Sequence, residues 1–177
     1  MMLIRDSRPE DLAQITAIYE HAVRYGSASF EIDPPDEAEM RLRRQALIEK
    51  GFPYLVAERE GMICGYAYIG FYRPRAAYRF AVEDSIYIHP DHHGHGIGKS
   101  LLGALIERAE AMGFRQMIGV IGDSLSAGSI ALHRSLGFEQ IGIARSVGFK
   151  HSRWLDQVLM QKQLGPGDTT LPDERNS

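Results

Sequence analysis

The chain has 177 residues, of which 44% are hydrophobic and 24% are charged, and its formal net charge is −3. This length suits one domain with a substantial core. The slightly negative net charge and the lack of a run of basic residues argue against a nucleic-acid-binding protein. No stretch approaches the roughly 18 apolar residues of a membrane span, and the N-terminus lacks a signal-peptide pattern. Cys64 is the single cysteine, which excludes an intramolecular disulfide and predicts a cytoplasmic α/β protein.

The first half of the chain alternates strand and helix signals. A helix begins at Pro9, because proline and acidic residues occupy its first turn and apolar residues then follow at helical spacing. The turn at Glu60-Gly61 predicts a β-hairpin, and Cys64 lies on its second strand as a small buried residue. The predicted elements are a strand at 3–5, the helix from Pro9, a second helix at 36–50, hairpin strands at 54–58 and 64–72, and a strand at 82–88.

The second half of the chain continues the same alternation. We predict a helix at 98–113, a strand at 117–121, a short helix at 129–136, and strands at 138–144 and 154–163. The order β-α-α-β-β-β-α-β-α-β-β indicates a mixed sheet with helices on its faces. Residues 1–164 are therefore expected to form one domain, and the polar, proline-containing segment 165–177 is expected to be a disordered tail.

A glycine-rich loop separates the strand at 82–88 from the helix that follows it. Its glycines, Gly94, Gly96 and Gly98, remove side chains where the backbone can approach a ligand. The helix after the loop presents unpaired amide groups and the positive end of its dipole, an arrangement that binds phosphate. Lys99 adds a fixed positive charge there.

Two motifs carry a resemblance to a known family. The strand with the loop His93-x-x-Gly96-x-Gly98, and the later Ala131-Leu132-His133-x-x-x-Gly137-Phe138, resemble the GCN5-related N-acetyltransferases (GNAT) over about residues 2–164. The resemblance implies the GNAT fold, an α/β structure with a mixed, mostly antiparallel sheet and helices on both faces. It also implies acetyl-CoA as cosubstrate, bound by Ile86, Tyr87, Ile88, His93, Gly94, His95, Gly96, Ile97, Gly98, Lys99 and Ser129.

A narrower resemblance rests on several short segments. Ala28-Ser29-Phe30-Glu31, Tyr54-Leu55-Val56-Ala57, Arg73-Pro74-Arg75, Tyr78-x-x-x-Val82-Glu83-x-Ser85-x-Tyr87 and Gly148-x-Lys150-x-x-x-Trp154 resemble the phosphinothricin and methionine sulfoximine acetyltransferases. Those enzymes acetylate the α-amino group of small amino-acid analogues and usually form homodimers. Two positions depart from the family pattern: His93 replaces a usual Gln or Arg, and Ser126 replaces a usual Asn.

Acetyl transfer to an amine requires a base, a polarised carbonyl group and a protonated leaving thiolate. Glu83 is the candidate base because it precedes the strand segment 86–88, which in this family pairs with the pantetheine arm; an ordinary salt-bridged carboxylate is the alternative. Asp84 points to the opposite face of the strand and is the weaker candidate. The backbone N–H of Ile88 is expected to stabilise the oxyanion. His133 occupies the position at which many relatives have a tyrosine that donates a proton to the leaving thiolate. His133 is therefore a candidate general acid, and a packing or capping role for it is equally open.

Arginines and aromatic residues are the candidates for binding the amino-acid substrate. Arg73 and Arg75 flank Pro74, which stiffens the turn, and guanidinium groups suit the carboxylate of an amino acid; two solvated loop arginines are the alternative. Phe30 and Tyr78 are candidates either for an apolar pocket or for the core. The predicted substrate residues are Phe30, Arg73, Pro74, Arg75, Tyr78, Glu83, Asp84, Ser85, Ser126 and Lys150, the last with Trp154 as a contribution of a partner subunit.

Other functions remain open at this stage. His89, His92, His93 and His95 suggest a metal site, but side chains on a turn around a pyrophosphate diverge, so we expect no metal. Acetylation of a protein N-terminus or another small amine is an enzymatic alternative, although Arg73 and Arg75 argue against a polyamine. A non-catalytic acyl-CoA sensor is the alternative from another class, and the presence of Glu83 argues against it.

Overall fold

The computed structural model describes residues 1–173. Its elements follow the predicted order and differ from the predicted bounds by a few residues, most of all at the sixth strand. They are β1 (Met2–Asp6), α1 (Leu12–Tyr25), α2 (Glu37–Glu49), β2 (Tyr54–Arg59), β3 (Met62–Phe71), β4 (Ala81–Ile88), α3 (Ile97–Ala111), β5 (Gln116–Gly122), α4 (Ala127–Ser135), β6 (Glu139–Lys150) and β7 (Arg153–Gln163). The α/β fold class is therefore confirmed.

The described residues form one mixed sheet of seven strands in the order β1-β2-β3-β4-β5-β7-β6. Within it, β4 and β5 are parallel, and every other neighbouring pair is antiparallel. The parallel pairing covers only Ala81–Asp84 against Gln116–Gly119. Since β4 stays paired with β3 as far as Ile88, and β5 stays paired with β7 as far as Gly122, the sheet opens between β4 and β5 beyond Asp84.

Two apolar cores cover the two faces of the sheet. α3 packs on one face through its leucines and isoleucines, where Cys64 and Val82 are buried. α1 packs on the other face, where Ile15, Val56 and Tyr66 are buried. The predicted helical spacing in α1 is confirmed, because the apolar residues at that spacing form the buried face of the helix. α1 and α3 pack against β4, and α4 packs against β5, so helices support both strands that flank the opening.

The segment after β7 begins as a series of turns against the domain. The Arg115 guanidinium donates hydrogen bonds to the carbonyl oxygens of Gly167, Thr170 and Leu171, and the Gly165 amide donates to Glu110. The polar composition of this segment did not indicate these contacts, and the disorder predicted for 165–177 stays a prediction. The last four residues, 174–177, lie outside the described residues.

Candidate active site

The opening between β4 and β5 exposes backbone groups of β4. The His89 amide donates to the Cys64 carbonyl of β3 at 2.9 Å, and hydrogen-bonded and non-hydrogen-bonded residue pairs alternate along an antiparallel ladder. Ile88 and Ile86, which lie opposite Gly65 and Ala67, therefore direct their N–H and C=O groups away from β3. Beyond Asp84 no strand pairs with that side of β4 among the described residues, so these groups face the opening.

A cavity of about 240 Å³ occupies this opening. Its walls come from β4, from β5, from the start of α4 and from the segment 28–30 that follows α1. Of the predicted site residues it brings together Phe30, Glu83, Asp84, Ser85, Ile86, Tyr87, Ser126, Ser129 and His133. Residues far apart in the sequence thus meet around one space, as an active site requires.

Glu83 lines the cavity and is only partly exposed. Burial raises its pKa from an ordinary value near 4.5 to about 7, the neighbouring charge of Asp84 acts in the same direction, and Arg73 opposes both. A carboxyl group that titrates near the working pH combines a useful population of the ionised form with a strong tendency to take a proton. Its placement and pKa suit the predicted role of general base, which stays a prediction.

Asp84 and His133 form a buried pair on the other side of β4. His133 Nε2 lies 2.9 Å from Asp84 Oδ1, and His133 Nδ1 lies 2.8 Å from the Ser129 carbonyl oxygen. Burial alone would lower the pKa of His133, but the hydrogen bond and charge of Asp84 outweigh it and raise that pKa. Both ring nitrogens face acceptors, so the imidazolium form satisfies both, and the pair ties α4 to β4. The proposed role of His133 as a general acid stays a prediction.

The glycine-rich loop leaves the first amides of α3 without side-chain caps. Gly94 and Gly96 have φ angles of 79° and 75°, which L side chains rarely adopt, and Gly96 is the N-cap of α3. The N–H groups of the first helical turn therefore face outward beside the exposed Lys99. Gly98 also has a packing role, because a Cβ there would lie 3.0 Å from Leu132 Cδ2. Its missing side chain lets α4 pack on α3.

The histidines around this loop do not converge. His92 Nε2 lies near Met62 Sδ, and His95 Nδ1 near the His92 carbonyl oxygen, while His89 accepts the Asp91 amide. In residues 1–173 no three His, Cys, Asp or Glu side chains are arranged to hold a metal ion.

Several predicted substrate residues lie outside the cavity lining. The Arg73 Cζ atom lies 4.9 Å from the centroid of the Tyr72 ring. The positive charge of Arg73 lowers the pKa of Glu83, against the effects of burial and Asp84. Pro74, Arg75 and Tyr78 lie on the exposed turn before β4. Lys150 also lies apart from the lining: its Nζ is buried and donates to the Ser29 carbonyl oxygen at 2.7 Å.

Six residues of the lining were not identified as site residues from the sequence. They are Ala28, Ser29, the β5 residues Val120, Ile121 and Gly122, and Gln157 of β7. The glycines of β5 were the available signal, because glycine inside an apolar strand marks a close approach. A Cβ at Gly119 would lie 2.8 Å from the His133 ring, and one at Gly122 would lie 2.1 Å from the Ser27 carbonyl oxygen.

Comparisons with known proteins agree with this geometry. Residues 15–138 match the model of the acetyltransferase (GNAT) family. The chain is 55% identical over 170 residues to phosphinothricin N-acetyltransferase from Alcaligenes faecalis, covering 96% of this chain and 86% of that protein. It is 41% identical over 173 residues to the L-amino acid N-acyltransferase MnaT of Escherichia coli, covering 97% and 98%.

A solved structure is also similar to this chain in sequence and in fold. The crystal structure of a GNAT superfamily phosphinothricin acetyltransferase from Sinorhizobium meliloti, in complex with AcCoA, superposes with a TM-score of 0.95 at 51% identity. The alignment covers 98% of this chain and 94% of that one. The chain therefore belongs to the acetyltransferase (GNAT) family and is an N-acetyltransferase.

Proposed function

We propose that this enzyme acetylates the α-amino group of a small amino-acid analogue of the phosphinothricin or methionine sulfoximine type, with Glu83 as the general base. The observation that carries the proposal is a partly buried carboxyl group with a pKa of about 7, placed in the cavity where β4 and β5 separate. Two relatives support the substrate class: the phosphinothricin N-acetyltransferase from Alcaligenes faecalis, and an L-methionine sulfoximine/L-methionine sulfone acetyltransferase from Pseudomonas aeruginosa, which is 43% identical to this chain over 164 residues.

The groups around the opening fit acetyl-CoA, the acetyl donor of this family. The uncapped amides at the start of α3, together with Lys99, suit its pyrophosphate. The backbone groups of Ile86 and Ile88 that face the opening suit the amides of its pantetheine arm. When bound, acetyl-CoA supplies the activated acetyl group, and the Ile88 N–H is the proposed donor to its carbonyl oxygen.

Glu83 is proposed to prepare the acceptor. A simple α-amine titrates near 8, so at neutral pH most acceptor molecules carry an ammonium group that cannot attack. The ionised Glu83 carboxylate takes one proton from that group and leaves the nitrogen lone pair free. Arg73, whose charge is felt at Glu83, is proposed to attract the acceptor's carboxylate into the same region.

A thiol-release assay with acetyl-CoA tests this substrate class. We expect the highest kcat/KM with phosphinothricin, methionine sulfoximine and methionine sulfone, lower values with common amino acids, and none with N-acetyl methionine sulfone, whose amine is blocked. Spermidine serves as the polyamine control. Release with none of the three analogues, or a higher kcat/KM with spermidine, would overturn the proposed substrate class.

The enzyme is also proposed to be a homodimer. Four apolar side chains on β6 and β7 are exposed, namely Ile141, Val147, Phe149 and Trp154, and we call them the β6–β7 patch. Phe149 and Trp154 pack edge to face at 5.1 Å. They lie at the edge of the sheet, where β6 has a neighbour on one side only. Exposed apolar side chains that cluster, as Phe149 and Trp154 do, are typical of interaction surfaces.

The β6–β7 patch predicts how single substitutions change the oligomeric state. Trp154→Glu places a charge beside Phe149, so we expect sedimentation velocity to show a monomer where the wild type is a dimer. Leu42→Glu is the matched control, because Leu42 is similarly exposed on α2, and it should leave the dimer intact. A monomeric wild type, or a dimeric Trp154→Glu, would contradict the proposed interface.

A further inference from the structure

The segment that carries Phe30 is held from one side by a buried lysine. Lys150, at the end of β6, is 5% exposed, and its Nζ donates to the Ser29 carbonyl oxygen at 2.7 Å. Lysine is rarely this buried unless it is needed as a donor. Residues 28–30 line the cavity beside Glu83, so the lysine acts on the cavity wall through Ser29 without being part of the lining.

A second group of side chains holds the same segment from the side of α1 and α2. The Tyr19 hydroxyl lies 2.9 Å from Ser29 Oγ and also donates to Glu31. The Arg43 guanidinium donates two hydrogen bonds to the Glu31 carboxylate, at 2.9 and 3.0 Å. The Glu31 amide donates to Ser29 Oγ at 3.1 Å. The residues on both sides of Phe30 are therefore fixed.

The Phe30 ring lies between two glycines that leave room for it. A Cβ added at Gly148 of β6 would lie 2.5 Å from Phe30 Cε2, and one at Gly122 of β5 would lie 2.9 Å from Phe30 Cε1. Real Cβ atoms do not approach this closely, so any side chain at Gly148 must displace the ring. The ring position, and with it the width of the cavity, depends on these strands.

We propose that Lys150 and Arg43 are positioning residues, which hold Ser29 and Glu31 so that Phe30 forms a fixed wall of the acceptor site, and that Gly148 sets how large an acceptor side chain this wall admits. The inference rests on the proposed function, since it takes the cavity beside Glu83 as the acceptor site. We call these contacts, of Lys150, Tyr19, Glu31 and Arg43 around Ser29, the Ser29–Glu31 clamp.

Two variants loosen the clamp from opposite sides. Lys150→Met keeps most of the length of the side chain but removes the donor, and Arg43→Met removes both hydrogen bonds to Glu31. Each should raise KM for methionine sulfone about tenfold, the effect of one lost hydrogen bond to a charged group, with kcat and KM for acetyl-CoA within about twofold. Arg43→Lys should restore part of the affinity. Arg41→Met is the matched control, because Arg41 forms an exposed ion pair with Glu37 one turn earlier on α2 and does not contact Glu31 among residues 1–173.

Hydrogen exchange provides a readout that needs no substrate. In Lys150→Met and Arg43→Met the Glu31 amide should exchange at least about tenfold faster, while amides in α3 keep their protection. If KM for the acceptor and exchange at Glu31 both stay within twofold of the wild type in Arg43→Met, the clamp does not exist. Arg43 is partly exposed, so this variant is informative even where Lys150→Met does not fold.

Alanine substitutions at two glycines of β6 test the limit on the size of the acceptor side chain. Gly148→Ala pushes the Phe30 ring into the cavity, so kcat/KM should fall at least about tenfold for methionine sulfone and less for alanine or glycine. Gly142→Ala adds the same methyl group to open space on the same strand. It should not change the ratio of kcat/KM for methionine sulfone to kcat/KM for alanine or glycine. An unchanged ratio in Gly148→Ala would overturn the assignment. If the wild type acetylates no amino-acid analogue, the proposed function fails, whereas the exchange result still decides the clamp.

Discussion

Glu83→Gln should lower kcat about 10²- to 10⁴-fold, the usual contribution of a positioned general base. The amide cannot take a proton from the acceptor ammonium group but fills nearly the same volume. The dissociation constant of acetyl-CoA should stay within about twofold, because the groups proposed to bind it lie on the β4 backbone and at the start of α3. Steady-state kinetics and calorimetry measure the two quantities. Glu107→Gln, an exposed position on α3, is the control and should match the wild type.

The pH dependence identifies the titrating group. In the wild type, kcat/KM should rise through about pH 7 as Glu83 loses its proton, and then rise again as the free acceptor amine deprotonates near 8. In Glu83→Gln only the second rise should remain. If Glu83→Gln turns over at the wild-type rate, or keeps a rise near pH 7, Glu83 is not the base.

Stability provides an independent check on the same variant. The folded protein raises the pKa of Glu83 from about 4.5 to about 7, so the group favours folding below pH 4.5 and this contribution is lost as pH rises through 7. Replacing it with neutral glutamine removes the cost of a partly buried charge. Glu83→Gln should therefore be as stable as the wild type or more stable at pH 8, by at most on the order of 3 kcal/mol. A variant that is inactive and also unstable at pH 8 would indicate misfolding instead.

Asp84→Ala should lower the free energy of unfolding by about 3–5 kcal/mol, the cost of leaving the other member of a buried ion pair without its partner. His133 is 4% exposed, and Asp84 Oδ1 is its partner at 2.9 Å. Chemical denaturation at pH 6 measures the loss. Asp6→Ala is the matched control, because Asp6 pairs with Arg108 in an exposed ion pair and should cost about 1 kcal/mol or less.

The effect of Asp84→Ala should depend on pH. The folded protein raises the pKa of His133 above 6.5, so the contribution of the pair is complete below pH 6.5 and is lost as pH rises through the raised pKa. The difference in free energy of unfolding between the wild type and Asp84→Ala should therefore become smaller towards alkaline pH. The double variant Asp84→Ala/His133→Phe should recover part of the stability, since no buried charge is left. A difference that becomes larger with rising pH would contradict the charged pair.

The order of elements and the glycine loop were predictable because their signals are local. Helical spacing in α1 and the glycines before α3 act through neighbours a few residues away. The period of two along β4 also predicted that Glu83 and Asp84 point to opposite faces of the strand; both line the opening, and Asp84 is the residue that contacts His133. The burial of Lys150 against Ser29 was not predictable, because the two residues are 121 positions apart and no local pattern joins them.

By itself, the sequence predicted the α/β fold and the glycine loop at the start of α3 from residue types at short spacings. Its resemblance to the GNAT family then indicated Glu83 as the candidate base. The tertiary structure alone decided that β4 and β5 separate after Asp84, that burial and Asp84 raise the pKa of Glu83 to about 7, and that His133 is held by Asp84. It also placed Lys150 behind the cavity wall and left Arg75 and Tyr78 outside the lining. Burial and charge proximity arise from the packing of distant segments, so they exist only once the chain has folded.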